Sequence, residues 1–357
     1  MKTKAIMVLV LVSALCMLGS SCWGAAASTT FYGYTWFRET GTSDHFNDTD
    51  NNTSKASIER TYLRWKLSYE DNIEGNITLD IPMKAGNTAN SDWTTLVKNA
   101  YVDVKNQLPL DTSIRIGQQP VYFAMIDKWE YPIIYKNLED NLGLLSSADL
   151  GIGLLGVIPG GWGDFQLATY GGNGYAKPTD TDNNAATCAS VNLIPIPGLS
   201  VRGSIYNSEV ASGDSYAKNG VVTGKWYNGL AVNYYVGPLW FMWEGVEGMK
   251  PKSDFSDSLK VSGNSKMVGW NINEQWQVLV REDIYDPDVD NKLRGTDNKT
   301  NSKTDQMMYG INYQWFADLK LQLDYSNLKY EGGIQDSTVS NARYEESQTV
   351  MQAVFSF

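Results

Sequence analysis

Histidine is nearly absent and cysteine scarce: 357 residues hold one His and three Cys, and two of those cysteines fall in the first 22 residues. Beyond residue 27, Cys188 stands alone. That excludes an intramolecular disulfide, a metal-ligating cysteine pair and a haem-attachment motif, so no cofactor is expected. Long apolar runs are also missing after the amino terminus. No later segment approaches the ~20 apolar residues that a spanning helix needs. Basic charge is short as well. Of 29 Lys and Arg, Lys2 and Lys4 lie in the leader described next; the remaining 27 face 40 acidic residues, a formal charge of −13. Nucleic acid is therefore not an expected partner.

The leader is Lys2 and Lys4 followed by an apolar stretch from Ala5 to Leu18 and the small-residue site Ala25-Ala26-Ala27. This is the pattern of a secretory signal peptide, so residues 1–27 are expected to be removed and 28–357 to form one domain. Lipid attachment at Cys22 fits less well, since Gly19 stands three residues earlier where a branched apolar residue is expected. What remains is rich in Tyr (21), Trp (12) and Gly (32), with a mean hydropathy of −0.33. Such a chain is too polar for a helical membrane protein. It suits an outer-membrane barrel, whose lumen and loops are polar while alternate strand residues meet lipid.

The order along the chain has the rhythm of such a barrel: ~10-residue alternating segments joined alternately by short turns and long loops. In Arg60–Tyr69, Leu63, Trp65, Leu67 and Tyr69 share one face, and Arg60, Arg64, Lys66 and Ser68 the other. Hairpins repeat this around Gly237-Pro238 and Phe316-Ala317-Asp318, with turn residues where turns are needed. Strands are expected near 30–38, 58–69, 76–84, 97–105, 112–118, 149–156, 164–170, 187–194, 200–206, 227–236, 239–247, 264–272, 275–284, 306–315, 319–329 and 347–357. The fold class is thus all-β, a transmembrane antiparallel up-and-down barrel of about sixteen strands. Polar stretches at 41–56, 171–185, 207–220, 286–304 and 331–346 read as outer loops. A sixteen-stranded barrel leaves a water-filled lumen, whereas ~8 strands would be plugged by their own side chains.

The chain ends on Thr349–Phe357, which alternates to its last residue. A terminal strand carrying Phe at its end needs something to hold it. This ending resembles the carboxy-terminal signature of bacterial outer-membrane barrels, which implies that Phe355 and Phe357 form the assembly signal read by the barrel-insertion machinery. One connection breaks the pattern: from Pro120 to Ser147 the chain is too apolar and aromatic for a solvated loop. There, Arg115-Ile-Gly-Gln-Gln-Pro followed by Leu145-Ser-Ser-Ala-Asp-Leu-Gly-Ile resembles the Gram-negative porins of the phosphate-selective and general group. The resemblance implies an outer-membrane location beside lipid and lipopolysaccharide, a homotrimer, and an inward-folded third outer loop. Val121-Tyr122-Phe123-Ala124 departs from that group's pattern, which bears on selectivity.

The chemistry of the lumen follows. Arg60, Arg64 and Lys66 lie on the polar face of one strand at ~6.6 Å intervals, and Arg115 and Arg202 on the polar faces of two others. Together they form a candidate basic wall. Asp127, Glu130, Glu139 and Asp140 on the inward loop are candidates to face it. In porins such an arrangement sets a transverse field that orients solutes. The acidic outer loops favour cations at the mouth and the wall favours anions within. Asp286-Pro-Asp-Val-Asp-Asn mimics the start of a calcium loop but has Asn291 where Gly is required. His45 among Asp44, Asp48 and Asp50 could pair for acid–base chemistry, yet no serine elbow accompanies it. An enzyme is not expected, and Cys188 reads as a neutral lumen residue. The leading expectation is passive diffusion of small hydrophilic solutes and ions. A sleeve for a partner such as a multihaem electron carrier, and a secreted soluble glycan binder, are the alternatives.

Overall fold

The computed structural model describes residues 27–46, 49–82, 95–109, 111–126, 133–176, 185–208, 224–251, 258–290, 292, 302–336 and 339–357. Among these, sixteen strands follow in chain order: β1 Ala27–Phe46, β2 Thr49–Tyr69, β3 Ile73–Pro82, β4 Leu96–Leu108, β5 Thr112–Pro120, β6 Ala148–Ile158, β7 Gly163–Tyr170, β8 Ala186–Ile196, β9 Leu199–Ser208, β10 Lys225–Val236, β11 Leu239–Pro251, β12 Ser258–Asn271, β13 Trp276–Asp286, β14 Lys303–Phe316, β15 Leu319–Asp336 and β16 Val339–Ser356. Each pairs antiparallel with its chain neighbours, and β1 pairs with β16, so the sheet closes on itself. Closure leaves no unpaired edge, the condition a sheet must meet in hydrocarbon. The α-helix among the described residues is one turn, α1 Leu138–Asn141, in the β5–β6 connection.

Alternation decides which face is which. On β2, Tyr62 is fully buried toward the lumen; on β9, Arg202, Ser204 and Tyr206 are buried while Ile205 is 59 % exposed outward. Outward positions carry Ile116, Ile152, Leu167, Leu230, Phe241, Val268, Val280, Ile311, Leu323 and Met351, all exposed. Near the short turns an exposed aromatic row of Phe31, Trp162, Trp270, Trp276, Trp315, Phe316, Phe355 and Phe357 closes the apolar belt. Such a girdle marks a membrane interface. The belt carries charge too: Lys266 and Glu282 point outward beside Val268 and Val280 and neutralise each other at 2.9 Å.

The last residue closes the barrel. Phe357 exchanges both backbone bonds with Gly33, at 3.0 and 2.9 Å, and its ring lies 6.0 Å from Phe31 and 6.3 Å from Phe355. Gly33 is needed for this approach, because a Cβ there would lie 2.8 Å from the Phe357 ring and 2.3 Å from the Tyr62 carbonyl oxygen.

The observed strands depart from the expected ones mainly at the loop end. The β1–β2 and β15–β16 hairpins run on through 41–56 and 331–346, stretches expected to be loops. Both consist mostly of polar residues. A strand whose residues are polar in both parities has no apolar period to betray it. Similarly, the turn expected at 71–75 is tighter and lies at residues 70–72, with Ile73 already in β3.

Candidate pore constriction

The lumen is divided by the β5–β6 connection, which folds inward. Its first part packs as an apolar wedge: Val121, Phe123, Ala124 and Ile126 cluster with Leu138, Leu144 and Leu145 against Tyr170, Cys188, Tyr206, Tyr227, Val246, Val261 and Tyr285 of β7 to β13. Gly229 makes room, since a Cβ there would meet Phe123 at 2.8 Å. Polar ties fix the wedge. The Ala124 amide donates to Ser204 Oγ at 3.0 Å, and Arg202 Nη1 donates to the Ala124 carbonyl at 3.0 Å. The Cys188 thiol donates to the Tyr122 carbonyl at 3.4 Å.

The second part reaches across toward β13 and β15. The Ile134 amide donates to Asp324 Oδ2 at 2.6 Å, and the Tyr135 hydroxyl meets Ser326 Oγ at 2.6 Å and Gln348 Oε1 at 3.0 Å. Burial pushes the Tyr135 hydroxyl pKa up to about 12. Arg281 holds the loop before α1: its Nη1 donates to the Lys136 carbonyl at 2.7 Å while Nε and Nη2 grip Asp283 at 2.8 and 2.7 Å. Beside the loop a cavity of about 480 Å³ remains against β1, β2 and β14 to β16. Its walls include Tyr34, Trp36, Arg38, Glu59 and Arg60 on one side, and Tyr135, Lys136 and Asp140 of the loop on the other.

Each basic residue singled out from the sequence takes a distinct place. Arg60 faces the cavity, donates through Nη1 to the Tyr62 hydroxyl at 2.9 Å, and lies 3.2 Å from Asp80 of β3. Arg64 donates to the Tyr34 hydroxyl at 2.8 Å, with its guanidinium 4.9 Å from that ring. Lys66 is exposed near the turn end of β2. Arg115 makes a bidentate pair with Asp103, both bonds at 2.6 Å, over the Tyr101 ring at 3.9 Å. Arg202 is buried under the wedge and binds its backbone. Thus Arg60 and Arg64 approach the passage, while Arg115 and Arg202 brace the wall and loop.

The acidic candidates divide in the same way. Asp127 and Glu130 lie outside the described residues. Asp140 lines the cavity opposite Arg60 and pairs with Lys136 at 3.4 Å. Glu139 faces away from the passage. It is fully buried against Glu244 of β11 and accepts from Asn137 Nδ2 at 2.7 Å. Burial first, and the neighbouring Glu244 second, push the Glu139 pKa well above the usual carboxylate range.

Four cavity charges, Arg38, Glu59, Lys136 and Lys320, were not singled out from the sequence, and neither was the buried Lys98. Arg38 pairs with Glu59 at 3.2 Å and is on the same lumen face as Trp36 and Tyr34, so alternation within β1 could have found it. Glu59 and Lys98 carry no such signal. Each is the extra residue of a β-bulge, where the pairing shifts between Trp36 and Phe37 and between Thr78 and Leu79. A bulge adds a residue and re-aims its side chain. Lys98 is buried, 5.7 Å from the Tyr62 ring and 5.1 Å from that of Tyr175, whose hydroxyl donates to Asp80 at 3.1 Å. Among the described residues, no cluster of three His, Cys, Asp or Glu could hold a metal.

Comparison with known proteins agrees with this architecture. Residues 259–357 match the family described as phosphate-selective porin O and P. The whole fold is similar to the outer-membrane channel DcaP of Acinetobacter baumannii, at 14 % identity and a TM-score of 0.66 over 94 % of this chain and 99 % of that one. It is also similar to an anion-selective porin from Comamonas acidovorans, at 12 % identity and TM-score 0.63 over 93 % and 100 %. The trimer form of OmpT from Vibrio cholerae matches at 11 % identity and TM-score 0.62 over 93 % and 100 %. No curated protein sequence matches. The fold is that of an outer-membrane porin.

Proposed function

We propose that this chain is a passive diffusion channel of a Gram-negative outer membrane, passing small hydrophilic solutes and ions. The observation that carries the reading is the cavity of about 480 Å³, lined by charged, amide and aromatic side chains, left between the inward loop and the β1, β2 and β14–β16 wall of a closed barrel. Its outer face is apolar with an aromatic girdle, which suits lipid and weighs against a secreted soluble protein. The wedge packed in the lumen leaves no bore for a partner protein, which weighs against a sleeve. Homotrimeric assembly is part of the proposal, supported by the trimer form in which OmpT is described.

Arg60 and Arg64 on the wall and Asp140 on the loop are the residues proposed to set the field at the constriction, with Arg38 and Glu59 beside them. Their charges meet the solute at close range, as charged rings do in other selective pores. Phe355 and Phe357 are proposed to serve as the assembly signal. The test is planar-bilayer conductance of purified protein with reversal potential in a salt gradient. Stepwise channels are expected, and the sign of the potential reports the preferred ion. Absence of channels from correctly folded protein would refute the reading.

A further inference from the structure

A row of side-chain amides climbs the lumen wall from β1 to β12, its middle rungs Gln352, Gln322 and Asn312 only 3, 4 and 5 % exposed. Arg38 Nε and Nη2 donate to Gln352 Oε1 at 2.9 and 2.8 Å. Gln352 Nε2 donates to Gln322 Oε1 at 3.0 Å, and Gln322 Nε2 to Asn312 Oδ1 at 3.0 Å. Asn312 Nδ2 donates to Gln277 Oε1, and Gln277 Nε2 to Asn271 Oδ1, both at 2.7 Å. These residues are direct cross-strand partners from β1 through β16, β15, β14 and β13 to β12. Every amide accepts from the β1 side and donates toward β12, so the row has one polarity.

Position makes the row more than wall polarity. Gln322 and Gln352 line the cavity at the constriction, whereas Asn271 and Gln277 line a second cavity of about 520 Å³ beside the short turn at Gly198. Barrel strands tilt by ~35–45°. A row perpendicular to them therefore ramps from the turn-end mouth to the loop. The second cavity continues the same chemistry with Asn192, Ser200 and Asn233. Aromatic surface lies beside the upper end: Trp36 stacks on Tyr34 at 5.7 Å, and both rings and Tyr135 line the first cavity. The nearby charges are matched in pairs, Arg38 with Glu59, Arg60 with Asp80 and Lys136 with Asp140.

We propose that this row is a permeation track for neutral polyhydroxylated solutes, sugars and polyols, a refinement that rests on the diffusion-channel reading above. A hydroxyl is both donor and acceptor, and so is a primary amide, which carries two N–H donors and two lone pairs. Lateral bonds hold the amides oriented along the row. Neighbouring rungs are ~4.8 Å apart across the strands, so a solute can gain one contact before losing the last. Conduction needs such weak, repeated binding. The aromatic faces supply an apolar partner for the C–H faces of a sugar ring.

The experiment compares swelling of proteoliposomes in raffinose with swelling in polyethylene glycol of matched hydrodynamic size, alongside potassium chloride conductance. Wild type is expected to pass the sugar faster than the polymer. Gln322→Leu with Gln352→Leu should slow sugar entry about fivefold relative to potassium chloride conductance, the worth of one ordinary hydrogen bond. Gln277→Leu, at a half-buried rung near the turn end, provides a second variant that disturbs the wall less. Stepwise channels with no advantage for the sugar, or sugar entry unaffected by either variant, would overturn the track and leave the channel reading standing. Folded protein without channels would remove both.

Discussion

Replacing Arg281 by Met tests whether the inward loop is held by the wall. Arg281 is fully buried, and its guanidinium bonds Asp283 twice, the Lys136 carbonyl and, at 3.2 Å, Ser265 Oγ. The single variant leaves Asp283, itself only 5 % exposed, without its cation. Breaking a buried pair from one side costs about 3–5 kcal/mol. Adding Asp283→Asn removes the stranded charge, so the double variant should regain most of that loss. It cannot regain the bond to Lys136. A hydrogen bond from a charged group contributes about 1.5–3 kcal/mol, which is at least a tenfold shift of the docking equilibrium at ~1.4 kcal/mol per decade. Amide hydrogen exchange over residues 133–141, followed by mass spectrometry on the folded barrel, should accelerate about tenfold or more in the double variant. Residues 121–126 have their own ties to Ser204 and Arg202 and should change little. Equal exchange at 133–141 in wild type and double variant would show that Arg281 does not hold the loop.

Other outcomes follow from the same contacts. Glu139→Gln should remove a pH dependence. Docked, Glu139 lies against Glu244, Asn137 and the Arg281–Asp283 pair and keeps its proton; released, it ionises near ~4.3. A raised native pKa means docking is strongest at low pH and weakens as pH rises from about 4.3 through the raised value. Identical pH profiles of exchange at 133–141 in variant and wild type would sink that account. Neutralising Arg60 and Arg64 together should shift the bilayer reversal potential toward cations, and Asp80→Asn should shift it toward anions; no movement in either would remove them from the constriction. Deleting Phe357 removes two backbone bonds worth about 1 kcal/mol each as well as two ring contacts. It should lower the yield of barrel whose gel mobility changes on boiling, and an unchanged yield would argue against a role for the last residue in assembly.

Much of the architecture could be read from residue order because a membrane barrel shows its two faces in every strand. Leu63, Trp65 and Leu67 against Arg64 and Lys66 needed no knowledge of neighbours, and the sixteen strands fall at the expected places, though β1, β2, β15 and β16 extend well into stretches expected to be loops. What could not be read depends on register. Arg115 finds Asp103 one strand away and Arg60 finds Asp80; both carboxylates were visible on expected strands, but only cross-strand pairing brings them to the arginines. Two arginines that read as part of a basic wall, Arg60 and Arg115, are therefore halves of ion pairs with the next strand. Glu139 was hidden for another reason. Its neighbour Glu244 is distant in sequence, and nothing local distinguishes a carboxylate that faces the passage from one sealed behind the loop.

The bulges carry this point to the constriction itself. Strict alternation would send every second side chain to lipid, so an added charge cannot enter the lumen without taking the place of a lumen residue already there. Inserting one residue escapes that limit: Glu59 joins the lumen beside Arg60 and supplies Arg38 with its partner, and Lys98 joins beside Asn99 and reaches the Tyr62 and Tyr175 rings. Both bulges flank the segment that carries Tyr62 and Asp80, where the passage is lined by Arg60. The cost is one unpaired position in the ladder at each site, which the closed sheet tolerates because pairing resumes on either side. Charge at the constriction is thus densest where the two-residue period fails, which is where a reading built on that period has least to say.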